Sequence, residues 1–424
     1  MRKIITFDEP NIPTLDNSIK RNKNIFVQAL VYNKTFTPAR IQLETFSHDY
    51  EELSVRQTIN GPVHYYSIEQ IYFAITTNRY RIRETIEFLK FWAITPGIRC
   101  LMVFESKSLP SENYIQRYLA THGISCKIQT SNATRYEERY LELIQQVWYS
   151  SNTSSYVDLE KVAWFAFGDD DTVWFLNNLL QTLKYYNASD PIYLGNISDN
   201  LDALQRHGTY FAFGGGGILL SRTLALQAAQ QSKDCQRLVH NTFGGDMMIG
   251  KCINEILKIN LTKNKNFHQM DHIGDMDGFL ESGIEGLVSL HHMFSYWEPF
   301  SEEHATNTVG AMNLFKLAYQ KLGHHFLKRY VRLDRQANRT FLLTMGYSFS
   351  LFDRILTHEE LMKVEKTWCC SDFVGRQTRP KEMNKTTWYF RAVTNETSRC
   401  EMIYEYNNVV RVISLPMKLI ISMT

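Results

Sequence analysis

The sequence lacks any long apolar run, any strong excess of charge of one sign and any low-complexity segment. Its 424 residues include 46 Lys and Arg against 44 Asp and Glu, for a formal net charge of +2. A nucleic-acid-binding protein normally carries a concentrated basic stripe, so this balance does not indicate one. No segment approaches the roughly 18 uncharged apolar residues of a membrane span. The N-terminus also lacks the apolar stretch of a signal peptide.

Cysteine is sparse, with seven residues, whereas sites for N-linked glycosylation are frequent. Cys235 and Cys252 could form a disulfide, and three further cysteines, Cys369, Cys370 and Cys400, lie close in sequence. The odd number of cysteines leaves at least one thiol unpaired within the chain.

About three or four Asn-x-Ser/Thr motifs would be expected by chance. The sequence has nine of these motifs, and this excess favours a chain matured in the secretory pathway over a merely Asn- and Thr-rich sequence. The motif begins at nine positions, which are Asn33, Asn132, Asn152, Asn187, Asn196, Asn260, Asn338, Asn384 and Asn395.

The pattern along the chain predicts three regions. Residues 1–60 show no sustained period and are interpreted as a stem or lead-in segment. From about residue 66, apolar strands alternate with amphipathic helices up to KVAWFAF at 161–167, which predicts an α/β domain with a mostly parallel sheet over residues 61–300. Residues 301–424 are predicted to form a C-terminal extension that is partly β.

The stretch AWFAFGDDDTVWFLNNLL, residues 163–180, places three consecutive carboxylates directly after a buried strand. Mutual repulsion within Asp169–Asp171 costs stability unless a positive group offsets it. A helix N-cap at Asp171 or Thr172, opening a helix that runs to about Tyr186, explains only one of these residues. Ligands of open parallel sheets bind outside the carboxyl ends of the strands. Clustered carboxylates there suit a hard divalent cation such as Mg²⁺ or Mn²⁺.

Three later motifs agree with a ligand site. YFAFGGGGILLSRTLA at 210–225 places four glycines between a predicted strand and a helix, where backbone can approach a ligand closely, although such a run is more often a turn. Asp246 opens a predicted helix, either as an N-cap or as a functional acid. His291 and His292 follow a short apolar strand, as structural histidines or as metal ligands, and imidazole suits Mn²⁺ better than Mg²⁺.

In this order the motifs DDD, PIYLG, FGGGGILLS, GGDMMIGKC and SLHH resemble those of the Fringe-like glycosyltransferases of family 31. The resemblance is strong over residues 66–300 and looser over 300–424, and it extends to an uncharacterised fungal branch at AITTNR, HQMDHIGDMDGFLESG and KVEKTW. It implies a GT-A-type, Rossmann-like α/β fold, a UDP-sugar donor and Mn²⁺. It also implies inverting transfer of a hexose or N-acetylhexosamine to a glycan hydroxyl, giving a β-1,3 linkage.

The same resemblance implies roles for individual residues. Asp171 and His291 would bind the metal ion, with His292 a less favoured alternative, and Asp246 would be the catalytic base. Asp169 would act through water or the donor ribose. The residues expected to bind the donor are Thr76, Thr77, Asp169, Asp170, Gly214, Gly215, Gly216 and Gly217. Tyr296 and Trp297 either stack on an acceptor sugar or belong to the core, and the core is favoured.

Two other functions are weighed against this one. A carbohydrate-binding pseudoenzyme of the same fold is disfavoured because Asp171, Asp246 and His291 are all retained. A metal-dependent phosphoesterase would need a second cluster of acids and histidines, which the sequence does not show. The expected partners are a UDP-sugar and a glycoprotein, glycolipid or other glycan acceptor, with no nucleic acid.

Two features depart from the family pattern. Members are usually anchored by an N-terminal membrane helix, which this sequence does not show, so we expect either a truncated sequence or retention or secretion by other means. The expected compartment is the secretory pathway, with the Golgi lumen favoured. The glycine motif reads GGGG where GGAG is commoner, which is a small change.

Overall fold

The structure is a computed structural model that describes residues 25–31, 42–45, 62–108, 112–153, 161–239, 242–300, 308–396, 399–405, 409–415 and 418–423. Its strands are β1 Ile25–Val31, β2 Gln42–Thr45, β3 Ile71–Thr77, β4 Arg99–Glu105, β5 Lys127–Ser131, β6 Trp164–Gly168, β7 Val173–Trp174, β8 Tyr193–Gly195, β9 Ile218–Ser221, β10 Leu261–Lys263, β11 Phe267–His268, β12 Ile273–Asp275, β13 Ser289–Leu290, β14 Trp297–Glu298, β15 Arg329–Asp334, β16 Arg339–Thr344, β17 Ser348–Phe352, β18 Val364–Lys366, β19 Trp368–Cys369, β20 Thr378–Pro380, β21 Lys385–Glu396, β22 Arg399–Glu405, β23 Val409–Leu415 and β24 Lys418–Met423. Its helices are α1 Ile82–Trp92, α2 Glu112–Thr121, α3 Tyr136–Thr153, α4 Leu176–Leu183, α5 Leu201–His207, α6 Arg222–Gln230, α7 Ser232–Val239, α8 Gly245–Lys251, α9 Asp277–Leu280, α10 Thr308–Leu322 and α11 His358–Met362. Among these described residues, no helix combines the length and the apolar character needed to cross a membrane.

A seven-stranded sheet in the order β10-β8-β9-β6-β3-β4-β5 forms the centre of the predicted α/β domain. All neighbouring pairs are parallel except those of β9, which runs antiparallel to β6 and β8. Every residue of β3 is buried, as expected for a strand that is covered on both faces. On one face Phe73 packs against Trp92 of α1, and on the other Tyr72 lies in one apolar cluster with Tyr140 of α3. The mostly parallel α/β sheet predicted from the sequence is therefore confirmed.

The C-terminal part is rich in β structure, as predicted. Nine strands follow the order β1-β2-β15-β16-β17-β21-β22-β23-β24, and β1 pairs with β24 as well as with β2. The predicted lead-in segment thus contributes two strands to the C-terminal sheet. Tyr347, in the turn between β16 and β17, and Trp174 near the acidic loop belong to one continuous apolar core, so the β-rich part packs directly on the α/β part.

The structure differs from the predicted elements at two places near the site. The helix expected from Thr172 begins at Leu176, because Val173 and Trp174 form β7 instead. Its N-cap position is Phe175, so neither Asp171 nor Thr172 is an N-cap. Residues 210–213 are not a strand, and the strand next to the glycines, β9, follows them. Short apolar runs do not reveal by themselves whether they lie before or after a turn.

Three disulfides link six of the cysteines. Cys235–Cys252 is the pair that the sequence suggested, and Cys100–Cys126 joins β4 to the residue just before β5. All four of these cysteines are buried. The third disulfide joins the neighbours Cys369 and Cys370, both of which are exposed.

Candidate active site

The acidic loop Asp169–Asp171 lies at the carboxyl end of β6, beside the end of the parallel strand β3. Directly after the loop, β7 pairs antiparallel with β13, with Trp174 opposite Ser289. Because His291 follows β13, this two-residue pairing brings the histidine to the acidic loop. The hydroxyl of Thr172 also donates to the carbonyl of Gly215 at 2.9 Å, which ties the acidic loop to the glycine run. Three motifs that are far apart in sequence therefore meet at one sheet edge.

Asp169, Asp171 and His291 form a cluster of possible metal ligands. The Nε2 atom of His291 lies 2.9 Å from Oδ1 of Asp171 and 3.3 Å from Oδ2 of Asp169. One ligand atom from each of the three residues lies within 4.8 Å of the others. Two carboxylate oxygens and one imidazole nitrogen are a donor set that suits Mn²⁺. Asp171 and His291 are buried, and Asp169 is the more open of the two acids.

The orientation of the His291 ring is set by its other nitrogen. Nδ1 lies 3.2 Å from the carbonyl oxygen of Gln269, which can only accept, so Nδ1 carries the proton and donates. Such a backbone hydrogen bond is how metal-binding histidines are commonly oriented. Burial lowers the pKa of the His291 imidazole, but the carboxylates of Asp171 and Asp169 outweigh it, so this pKa lies well above its ordinary value. The space between these two acids thus favours a positive charge.

Asp170 has different partners from its two neighbours. Its carboxylate accepts from Nε of Arg81 at 3.0 Å, from the Thr77 hydroxyl at 2.6 Å and from the Thr85 hydroxyl at 3.3 Å. Arg81 also lies 3.7 Å from Asp171. The positive group that offsets the middle acid is therefore an arginine of this chain. Sequence analysis missed Arg81, although it stands four residues after Thr77, where the turn from β3 into α1 returns to the sheet edge.

The two threonines predicted to bind the donor are both buried and differ in their partners. The hydroxyl of Thr77 donates to Asp170 at 2.6 Å, whereas that of Thr76 donates to the carbonyl of Val103 at 3.2 Å. Gly214–Gly217 form a turn beside the metal-ligand cluster. A Cβ on Gly215 would lie 2.1 Å from the His291 ring, so only glycine allows this backbone to approach the histidine so closely.

Asp246 lies in the first turn of α8, two residues after the N-cap position Gly244, so it is not the N-cap itself. Its carboxylate accepts from the backbone N–H of Gly214 at 2.9 Å and from that of Met247 at 2.8 Å. Burial, opposed by these hydrogen bonds and aided by the charge of Asp169, raises the pKa of Asp246 to about 6. A carboxylate with this pKa is ionised at neutral pH and is still basic enough to accept a proton.

A pocket of about 490 Å³ opens beside Asp246, and Asp271 lies in the same lining. Nδ1 of His292 lies 3.1 Å from Asp271, and the rings of His291 and His292 stack with 3.7 Å between their centroids. The pocket thus adjoins the metal-ligand cluster through two side chains. Tyr296 lines it, whereas Trp297 is buried and donates to the His291 carbonyl, so of this aromatic pair only Trp297 is core.

Gln269 is a second residue that sequence analysis missed. Its side-chain oxygen accepts from the N–H of Gly216 at 2.8 Å, and its amide nitrogen donates to Asp271 at 3.2 Å. With the His291 contact, this one residue connects the glycine turn, the metal-ligand cluster and the pocket. Its motif HQMD offered no signal except the family resemblance, because a lone glutamine carries no chemistry that would single it out.

Comparisons with known proteins agree with this geometry. Residues 205–415 match a protein family described as "Protein of unknown function, DUF604". The chain is 31% identical over 131 residues to the mouse β-1,3-glucosyltransferase, covering 31% of this chain and 25% of that protein. It is 22% identical over 241 residues to the zebrafish β-1,3-N-acetylglucosaminyltransferase lunatic fringe, covering 53% of this chain and 60% of the relative. These relatives support the resemblance of the chain to the Fringe-like glycosyltransferases of family 31.

The predicted α/β class with a mostly parallel central sheet is confirmed by the seven-stranded sheet. Among solved structures, the glycosyltransferase GlyE of Streptococcus pneumoniae is 10% identical, with a TM-score of 0.36, covering 58% of this chain and 60% of that one. The chain spans between a quarter and three fifths of the length of the first two curated relatives.

Proposed function

We propose that the protein is an inverting, Mn²⁺-dependent glycosyltransferase. It moves a hexose or N-acetylhexosamine from a UDP-sugar to a hydroxyl of a glycan acceptor and forms a β-1,3 linkage. The observation that carries this proposal is the meeting of two carboxylates and one imidazole nitrogen at the sheet edge, with a third carboxylate at the adjoining pocket. Relatives named as β-1,3-glycosyltransferases support the reaction type.

Asp246 is the base in this proposal. In a single displacement, the acceptor hydroxyl loses its proton as its oxygen attacks the anomeric carbon, which requires a carboxylate within hydrogen-bond reach. Asp246 lines the open pocket, and its raised pKa of about 6 suits proton acceptance near neutral pH. The two backbone N–H groups that it accepts from hold the carboxylate in one orientation, which favours a productive geometry.

Asp171 and His291 hold the metal ion in this proposal, and Asp169 binds it through water or binds the donor ribose. The mixed oxygen and nitrogen donor set fits Mn²⁺ better than Mg²⁺. When bound, the ion supplies Lewis-acid stabilisation of the negative charge that develops on the diphosphate leaving group. Thr77 and Gly214–Gly217 adjoin this cluster, which is consistent with contact to the donor.

The proposed location is the secretory pathway, with the Golgi lumen favoured. Asn132, Asn260, Asn338 and Asn384 begin glycosylation motifs and are exposed, and three disulfides suit an oxidising compartment. Protein secreted from a eukaryotic host should therefore run faster on a gel after treatment with an N-glycosidase. An unchanged mobility would contradict a lumenal location.

Binding of UDP tests the function directly. Calorimetric titration should detect UDP binding with Mn²⁺ present, and EDTA should abolish it. Asp171→Asn removes a negative ligand from the cluster and should abolish the metal-dependent binding, while the fold, monitored by thermal unfolding, remains. UDP affinity in this variant equal to that of the wild type would contradict the metal role. Metal-dependent UDP binding without transfer to any glycan would favour the carbohydrate-binding pseudoenzyme.

A further inference from the structure

The rim of the pocket beside Asp246 carries apolar side chains that are exposed to water. Phe243 is 75% exposed, Ile273 is 57% exposed and Tyr296 is 46% exposed, and all three line this pocket. Its volume of about 490 Å³ lies within the range of small-molecule sites, roughly 300–1,000 Å³. Exposed aromatic and aliphatic side chains that share one concave surface with polar groups are typical of a binding site.

The disulfide Cys369–Cys370 completes this rim. Both cysteines line the pocket, and Cys369 pairs with Ile273 in the ladder between β19 and β12. A disulfide between neighbouring residues closes no loop of chain, so it contributes little of the loop entropy by which disulfides stabilise folds. Its two sulfur atoms instead add a compact, rigid apolar surface beside Ile273. The other two disulfides are buried and line no part of this pocket.

The segment that carries the disulfide is tied to α5, which also lines the pocket. The N–H of Asp202 in α5 donates to the Ser371 hydroxyl at 3.2 Å, and the N–H of Leu201 donates to the carbonyl of Asp372 at 3.1 Å. Trp368 donates to the Ser371 carbonyl at 2.9 Å. These bonds hold a short segment of the C-terminal region against the α/β domain, so the pocket is complete only when both regions are present.

The charges of the pocket point to the class of ligand. Asp202, Asp246 and Asp271 contribute three carboxylates, and Arg206 contributes one guanidinium, among the described residues of the lining. An anionic sugar placed beside Asp246 would be repelled, and it would also raise the pKa of the base further. A neutral sugar meets no such penalty, and its apolar C–H face can pack on an aromatic or disulfide surface while its hydroxyls reach the carboxylates.

We propose that this pocket binds the acceptor as a neutral saccharide, with the Cys369–Cys370 disulfide, Phe243 and Tyr296 as the surfaces on which its ring packs. The inference rests on the proposed function, because it takes Asp246 as the base that faces the acceptor hydroxyl. It assigns a role to residues 369–371 of the C-terminal region, which lie outside the predicted catalytic domain.

The test compares Phe243→Ala and the double variant Cys369→Ala/Cys370→Ala with the control Tyr114→Ala, an exposed tyrosine in α2 that does not line the pocket. Transfer is measured from UDP-galactose, UDP-glucose and UDP-N-acetylglucosamine to methyl glycosides of neutral hexoses and of the matching uronic acids. Both pocket variants should raise KM for the neutral acceptor at least about tenfold, while Kd for UDP with Mn²⁺ stays within about twofold. The control should match the wild type, and the uronic acids should be weaker acceptors by a similar factor.

Reduction offers a second readout without a mutation. Because the vicinal disulfide is exposed and the other two are buried, a mild phosphine reductant should cleave it first. Acceptor KM should then rise in the wild type and should not rise further in the double variant. An unchanged acceptor KM in both pocket variants, or a preference for uronic acids, would overturn the inference.

The two proposals can fail separately. If the wild type binds UDP but transfers to no acceptor, the same neutral saccharides are titrated against the wild type by ligand-observed NMR. Binding that the two pocket variants lose supports the pocket assignment even though the transfer proposal fails. Absence of saccharide binding to the wild type overturns the pocket assignment.

Discussion

Asp170 and Asp246 are the same chemical group with the same direction of pKa shift, yet their surroundings differ completely. Burial raises the pKa of each to about 6, opposed at Asp170 by the charge of Arg81 and at Asp246 by backbone N–H donors. Asp170 is enclosed by Arg81, Thr77 and Thr85. Asp246 instead lines an open pocket. A perturbed pKa alone therefore does not identify a reactive acid, because access to a substrate decides between a structural and a chemical role.

The largest effect that this comparison predicts follows from Asp246→Asn. The amide keeps the size of the side chain but cannot accept the proton, so transfer should fall about 10²- to 10⁴-fold. UDP binding with Mn²⁺ should be unchanged, because the metal-ligand cluster is intact. Initial rates and calorimetry measure the two quantities. Asp234→Asn, on the surface of α7, is the matched control, and retained transfer in Asp246→Asn would remove this residue as the base.

A smaller effect, on stability, is expected at the enclosed acid. Arg81→Met removes the cation from Asp170, and breaking a buried ion pair costs about 3–5 kcal/mol. Because the Arg81 side chain is 41% exposed, solvent screens the pair, and we expect a loss of about 2 kcal/mol in the free energy of unfolding. Denaturant unfolding measures it.

The double variant Arg81→Met/Asp170→Asn is the control for this loss. Because the double variant has no buried carboxylate that has lost its cation, it should be more stable than Arg81→Met alone. If the two variants unfold at the same denaturant concentration, the arginine does not act through Asp170, and the contrast with Asp246 would lose its physical basis.

The smallest effect concerns pH. Because the pKa of Asp246 is raised to about 6, the base is protonated below that pH and ionised above it. Transfer should therefore rise with pH through about 6 and level off, with a gain of only about twofold between pH 6 and 7. UDP and Mn²⁺ binding is measured at each pH as the control for the metal ligands. A transfer rate that stays flat from pH 5 to 7 would contradict Asp246 as the titrating base.

Much of the fold could be predicted from local sequence. The mostly apolar β3 and the acids after β6 carry period and composition signals that do not depend on distant residues. The sequence predicts the start of α4 four residues too early, because Val173 is apolar at helical spacing from Leu176 but pairs with β13 instead. A strand of two residues is defined by its partner, and no local pattern reveals that partner.

The candidate site, like the fold, has features that local sequence reveals and features that depend on distant partners. The sequence by itself determined which side chains are candidates for the chemistry, since clustered acids, a glycine run and paired histidines are visible in order along the chain. Only the tertiary structure decided their partners. It paired Asp170 with Arg81, 89 residues away, and brought an exposed disulfide from the C-terminal region to the pocket of Asp246. The physical reason is that burial, pKa and access depend on packing between distant segments, whereas residue type and spacing do not.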